Sequence, residues 1–406
     1  MTAASPSPFD FDSPIERRGS GCFKWDSNPS ADTLPMFVAD MDFKAPEPVL
    51  QALQQRVAHG VFGYTWVRDE YFDAVNNWFS RRHNFPIERD WILPTIGIVP
   101  AVSAILKAFT EDASSHVGVM VQTPVYHCFF SSIRRMGCDI VESPLVADAQ
   151  GVYQIDFEQF EQQAALPTTR VFLLCHPHNP SGRVWSIHEL IRMGEICAKH
   201  GVTVVSDEIH CDLMFPGLTH TPFATLTPEF KDSCITLSSP SKTFNLAGLQ
   251  IANIVIANRR LRSKVQKALF AHELQGVNPF GVEGLIAAYN EGEAWLDALR
   301  DYLQDNYQYI QEQLATHLPE ITVYPQQATY LAWIDCSALG LNGDELAKKL
   351  LQEGELRISS GMGFLPFSGA HGDQQNHFIR LNFACPRSVL DEGLQRMFRV
   401  LKPLRE

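Results

Sequence analysis

What the chain has little of narrows its function first. Basic residues are outnumbered, 33 Lys and Arg against 46 Asp and Glu in 406 residues, for a formal charge of −13. Nonspecific nucleic-acid binding needs a basic surface that neutralises phosphates, so this balance argues against it and favours solubility instead. The nine cysteines, scattered from Cys22 to Cys385, contain no C-x-x-C pair. An odd, dispersed set of this kind suits reduced thiols in a reducing compartment better than a disulfide framework. No run approaches the roughly 18 apolar residues that a membrane helix requires. The first twenty residues, with Pro6, Pro8, Asp10, Asp12, Pro14 and Glu16, lack the apolar core of a secretory signal. Internal repeats and low-complexity tracts are absent too. The expectation is a cytoplasmic protein with no membrane and no nucleic-acid partner, long enough for two domains.

What is present centres on Ser238 to Leu249. Lys242 stands there in a small, hydroxyl-rich turn between two β-like apolar runs, Cys234 to Leu237 and Ile251 to Ile256. An ammonium between buried strands loses hydration, and its pKa falls toward neutrality. That is the condition for a Schiff-base lysine. A loop lysine with its head in water is the commoner case for any one lysine, so the rest of the chain must decide.

Leu34 to Phe43 is a short apolar entry loop ending in acids, and helical spacing follows over Pro46 to His59 and Asp69 to His83. From Trp91 onward apolar runs alternate with helical patterns, the mark of βαβ units and a mostly parallel sheet. The strand candidates are Val117 to Val121, Ile140-Val141, Val171 to Cys175, Val202 to Val205 and the two runs flanking Lys242; helices are expected at Val99 to Phe109, Phe129 to Met136, Phe157 to Ala165 and Ile187 to His200. Beyond Asn278 comes a long helical region from Phe280 to His317 with one break, then a smaller α+β region with strands at Ile321 to Tyr324, Leu331 to Ile334 and Phe378 to Leu381, and helices near Glu345 to Gln352 and Ser388 to Leu401. We therefore expect an N-terminal segment, 1–45, joining a small domain, 290–406, with a large domain at 46–289.

Open α/β sheets bind ligands at the carboxyl ends of their strands. Tyr126, Asn179, Asp207 with His210, and Lys242 each follow a strand candidate, while Gly97-Ile98-Val99 opens a helix whose free N–H groups suit a phosphate. An aromatic plate, an amide, a carboxylate, a phosphate cradle and a lysine are the groups that pyridoxal phosphate needs. Each alone has a structural explanation: a core aromatic, an Asx turn, a helix cap.

Gln122 to Tyr126, Cys175 to Gly182, Asp207 to His210, Ser239 to Lys242 and Ile379 to Asn382 resemble, in order, the motif series of fold-type-I pyridoxal-phosphate enzymes, the aspartate aminotransferase superfamily. Within it the chain is most similar to the MalY/PatB-type cystathionine β-lyases, through Met36 to Phe43, Phe62-Gly63-Tyr64, Asp207 to His210 and Cys385-Pro386-Arg387. The resemblance spans nearly the whole chain. It implies an α/β, three-layer transferase fold, with Lys242 as the Schiff-base lysine, Asp207 on the pyridine nitrogen, Asn179 on the ring oxygen and Tyr126 stacked on the ring. It further implies phosphate contacts from Ile98, Val99, Ser239 and Ser241, His210 beside the cofactor, and Arg380 and Asp40 toward an amino-acid substrate. Tyr64 would reach the phosphate and substrate from a second subunit, so a homodimer is implied.

Two positions depart from the usual aminotransferase pattern and match the lyase branch: Gln250 stands where an arginine for the phosphate is common, and His210 where a tyrosine is. Two readings stay open, a β-lyase releasing a thiol, pyruvate and ammonia from cystathionine or related cysteine conjugates, and a class I/II aminotransferase. Ser239-x-x-Lys242 has the spacing of penicillin-recognising enzymes, but their K-T-G and S-D-N elements are missing. His188-Glu189 and His272-Glu273 begin an H-E-x-x-H pattern without its second histidine.

Overall fold

The computed structural model describes residues 8–111, 113, 116–366 and 377–405. Its centre is a seven-stranded sheet: β1 Ile92–Thr95, β2 Gly118–Val121, β3 Asp139–Glu142, β4 Thr169–Cys175, β5 Thr203–Asp207, β6 Cys234–Ser238 and β7 Ala252–Val255, in the spatial order β1-β7-β6-β5-β4-β2-β3. From β3 across to β6 the neighbours run parallel, and β7 is antiparallel to both β6 and β1. β2, β6 and β7 are buried along their full length, which explains why they read as continuous apolar runs instead of alternating ones.

A second sheet of four antiparallel strands follows: β8 Thr322–Val323, β9 Leu331–Asp335, β10 Ser359–Ser360 and β11 Phe378–Asn382, in the order β8-β9-β11-β10. The expected α/β class, with a mostly parallel sheet and a smaller α+β part, is what the chain adopts. The long helical region has its one break at Gly292, between Pro279–Glu291 and Glu293–His317. Gly292 makes the joint close: a Cβ there would lie 2.5 Å from the Ala288 carbonyl and 2.6 Å from the Phe244 ring.

The sequence reading missed some elements. β1 contains Pro94, which normally counts against a strand; it is tolerated because β1 is at the sheet edge. Helix Arg259–Ala271 buries only Val265, Ala268 and Leu269 and is otherwise crowded with Arg and Lys. Its cap, Asn258 accepting from the Leu261 N–H at 3.0 Å, was the available signal. β5 runs two residues beyond the expected Val205, so Asp207 is the last strand residue, paired with Cys175 and Leu237 on either side. The entry loop is not free of pairing: Leu34–Pro35 adds in parallel to Leu356–Arg357.

Candidate active site

β6 ends at Ser238, and the chain turns through one short helix, Pro240–Thr243. Ser239 caps that turn, accepting from the Ser241 N–H at 3.1 Å and donating its hydroxyl to the Ile251 carbonyl at 2.7 Å. Ser239 is thus tied to the neighbouring strand and not to Lys242, which removes the serine-nucleophile reading. Lys242 donates from Nζ to the carbonyl of Ala39 at 2.6 Å. Burial pushes its pKa down from 10.5 to about 8, against the pull of Asp40; Arg380 adds to the lowering and Asp207 opposes it.

The side chains singled out at strand ends converge here. A cavity of about 510 Å³ is lined by Ile98, Val99, Tyr126, Asn179, Asp207, His210, Ser239, Ser241, Lys242 and Arg380, together with Gln250. Asp207 is buried at the end of β5, and burial raises its carboxyl to about 7 although the Ile209 N–H donates to it at 3.1 Å. Arg380, in the middle of β11, donates to Asn179 Oδ1 at 3.0 Å and to the Phe37 carbonyl at 2.9 Å, with its guanidinium 4.8 Å from the centre of the Phe364 ring. Burial lowers even this arginine, to about 10. His210 is held neutral, at about 3, by burial first and then by Lys242 and Arg380. Ile98 and Val99 are the first residues of helix Ile98–Glu111, where backbone N–H groups lack intrahelical partners.

Two expected residues lie elsewhere. Tyr64 is fully exposed and does not line the cavity. Asp40 turns its carboxylate to Arg17 at 2.7 Å and is not part of the lining either. Asp40 belongs to a cluster the sequence reading did not find: Asp42 takes Arg17 at 2.5 Å, the buried Lys24 at 2.8 Å and the Trp25 Nε1–H at 2.8 Å. Nothing in local spacing joins these four charges. Also unforeseen were Phe37, whose carbonyl holds Arg380, and Tyr330, whose hydroxyl donates to the Ala39 carbonyl at 3.0 Å.

Behind the cavity two buried carboxylates are held by histidines and hydroxyls. Glu208, next to Asp207, accepts from His220 at 2.9 Å, Ser206 at 2.9 Å and the Phe223 N–H at 3.0 Å. Asp212 takes Thr243, next to Lys242, at 2.9 Å and His83 at 2.8 Å. His83, Cys211 and Asp212 place potential metal-ligand atoms within 4.8 Å of one another, yet Asp212 is already engaged by Thr243, His83 and Trp78.

The residues fit pyridoxal phosphate. Two residues that line this cavity, His210 and Arg380, each carry a buried nitrogen, Nδ1 and Nε, with no hydrogen-bond partner among the described residues. Hydroxyls and helix N–H groups suit a phosphate, a buried carboxylate suits a ring N–H, and an amine held near neutrality suits an aldehyde.

Comparison with known proteins agrees. Residues 33–397 match the family model "Aminotransferase class I and II". Over 392 residues the chain is 42% identical to cystathionine beta-lyase PatB of Bacillus subtilis, covering 96% of this chain and 98% of that protein. It is 34% identical to protein MalY of Escherichia coli over 403 residues, 98% of this chain and all of that protein (100%). The crystal structure of cystalysin from Treponema denticola, which contains pyridoxal 5'-phosphate, superposes with a TM-score of 0.91 at 34% identity, covering 98% of this chain and 99% of that one. A match that takes in both sheets, Lys242 and Arg380 places this chain in the class I and II aminotransferase family.

Proposed function

We propose that the protein is a pyridoxal-phosphate-dependent carbon–sulfur β-lyase, converting L-cystathionine or a related cysteine S-conjugate and water into a thiol, pyruvate and ammonia. The observation that carries the reading is Lys242, an amine held near neutrality by burial, within one cavity with Asp207, Asn179 and Arg380. The names of the PatB and Treponema relatives point to the same chemistry. Pyridoxal phosphate, when bound, supplies an electron sink for negative charge developing at the substrate Cα.

The roles then follow from position. Lys242 anchors the cofactor and, once free, removes the Cα proton; an amine with a pKa near 8 is partly unprotonated at neutral pH, as a general base must be. Asp207 would hold the ring nitrogen, Asn179 the ring oxygen and Tyr126 the ring face, with His210 beside them. Ser239, Ser241 and the N–H groups of Ile98 and Val99 hold the phosphate. Arg380 presents two nitrogens of a planar fork to the substrate carboxylate. Asp40 serves the substrate side by fixing the main chain of Val38 to Asp40, whose carbonyls meet Asn382 and Lys242.

Tyr64 is assigned to the partner subunit's site in a homodimer. Val61, Phe62, Tyr64 and Trp66 are all exposed apolar or aromatic residues on one stretch, and such a stretch favours an interface. The division into 46–289 and 290–406, with 1–45 joined to the latter, is supported by the separate sheets and by the pairing of Leu34–Pro35 with Leu356–Arg357. We place the protein in the cytoplasm, which its nine unpaired cysteines support, and in methionine biosynthesis, which rests on its similarity to a cystathionine beta-lyase; among the described residues no helix is long and apolar enough to cross a membrane. Incubation with L-cystathionine tests the reaction: homocysteine and pyruvate must appear in equal amounts, and the Lys242→Ala variant must form neither.

A further inference from the structure

The short helix Phe23–Asp26 is fastened at every residue except its first. Lys24 is buried at 2% exposure and reaches Asp42 at 2.8 Å. Trp25 donates to the same carboxylate at 2.8 Å, and the Arg18 guanidinium lies 4.9 Å from the Trp25 ring centre. Asp26 accepts the backbone N–H groups of Gly19, Gly21 and Cys22 at 2.7–3.0 Å. The Phe23 ring makes no such tie and is 68% exposed, a large aromatic left mostly in water.

Phe23 nevertheless lines the active-site cavity, with Phe37 beside it at a ring-centre distance of 6.2 Å. Phe37 is the residue whose carbonyl holds Arg380, so an apolar wall starts at the proposed carboxylate grip and ends at an exposed ring. Asn179, Asp207 and the serines are assigned to the cofactor and Arg380 to the substrate carboxylate. Arg380 donates to the Phe37 carbonyl, so a substrate held there has the Phe37–Phe23 wall of the same cavity beside it for the substituent on its sulfur. Phe23, Phe37, Val38 and Ala39, the N-terminal segment's share of the lining, carry no ionisable side chain. The nearby Arg357 guanidinium, 4.0 Å from the Phe37 ring centre, is engaged by Ser27 and Asn28.

We infer that Phe23 and Phe37 form a subsite for an apolar or aromatic group on the substrate sulfur, with Phe23 as a specificity-determining residue. The class of substrate favoured is a cysteine S-conjugate whose thiol half is apolar or aromatic, accepted by the same site beside L-cystathionine. The reaction assumed is the β-elimination proposed above, but the subsite itself is a statement about binding and is testable without turnover.

The test pairs two measurements on the cofactor-loaded protein and its Phe23→Ala and Phe23→Leu variants. Calorimetric titration compares 3-(benzylsulfanyl)propanoate with 3-(methylsulfanyl)propanoate, each a conjugate without its amine. The benzyl compound should bind about tenfold tighter than the methyl one, with most of that margin lost in Phe23→Ala and largely kept in Phe23→Leu, in line with the worth of an aromatic contact plus its buried area. Pyruvate release should show the same pattern: the ratio of kcat/KM for S-benzyl-L-cysteine over S-methyl-L-cysteine falls about tenfold in Phe23→Ala, chiefly through KM. Equal affinity of the two propanoates, or a margin that survives Phe23→Ala, overturns the subsite. A Phe23-dependent margin without pyruvate from any conjugate would support the subsite and overturn the β-elimination instead.

Discussion

Lys242 Nζ is bonded at 2.6 Å to the carbonyl of Ala39, a residue 203 positions earlier in the chain. The amine that the sequence placed between two strands is therefore covered by the N-terminal segment. That segment also holds Arg380 through the Phe37 carbonyl and Asn382 through the carbonyls of Val38 and Asp40. The predictions below follow from this closure and from the burial it causes.

Burial lowers Lys242 from 10.5 to about 8, so between those values the unfolded chain holds a proton the folded chain has released. Stability then rises as pH climbs through that window, and the penalty is at full size below about 8. In cofactor-free protein, Lys242→Met should stabilise the fold against urea by about 1–3 kcal/mol at pH 7, with the gain fading toward pH 10.5. The same substitution should abolish turnover. A variant less stable than the parent at pH 7 would show that the amine is better solvated than its burial indicates.

Asp207 shifts the other way, from 3.8 up to about 7. A raised carboxyl costs stability as pH rises through that window, because the folded chain then loses a proton the unfolded chain has already released. Asp207→Asn should accordingly be neutral or stabilising without cofactor near pH 7. Its cost should appear on binding: loss of a buried carboxylate facing a ring N–H should weaken pyridoxal phosphate by tenfold or more. Equilibrium dialysis followed by cofactor absorbance measures this, and unchanged affinity would remove Asp207 from the ring nitrogen.

How far these groups could be seen in the sequence depends on what held them. Lys242, Asp207, Asn179 and Tyr126 follow apolar runs that end where a buried parallel sheet ends, so strand-end logic reaches them. The edge strand Ile92–Thr95 was lost to Pro94, and the helix Arg259–Ala271 to its charged surface. Ala39, Phe37 and Tyr330 act through a main-chain carbonyl or across the chain, and residue type alone carries no sign of that. The Arg17–Lys24–Asp40–Asp42 cluster is a tertiary meeting of one segment with itself, without helical or strand spacing to announce it.

Asp42 is the keystone of that cluster, taking Arg17, Lys24 and Trp25 together. Asp42→Ala leaves Arg17 with Asp40 alone and the buried Lys24 ammonium 3.7 Å from its nearest remaining carboxylate, also Asp40, which should cost about 1–3 kcal/mol. Chemical denaturation reads the loss. Because the same segment covers Lys242, KM for the substrate should rise as well; a large stability loss with an unchanged KM would separate the cluster from the site.

Arg380→Lys keeps the charge but not the fork. It should raise KM for an amino-acid substrate by roughly tenfold or more, since one ammonium cannot hold both carboxylate oxygens and also reach Asn179 and Phe37. Steady-state kinetics on S-methyl-L-cysteine decides it, and a KM within twofold of the parent would place carboxylate binding elsewhere.

The most direct measurement of the central claim is a count of pyruvate per active site from L-cystathionine, with pyridoxal phosphate bound and no keto acid added. The account predicts many turnovers, with homocysteine released one for one and the cofactor unchanged at the end. Conversion of the cofactor to its amine form by an amino acid, with no sustained pyruvate, would contradict it and make the protein an aminotransferase.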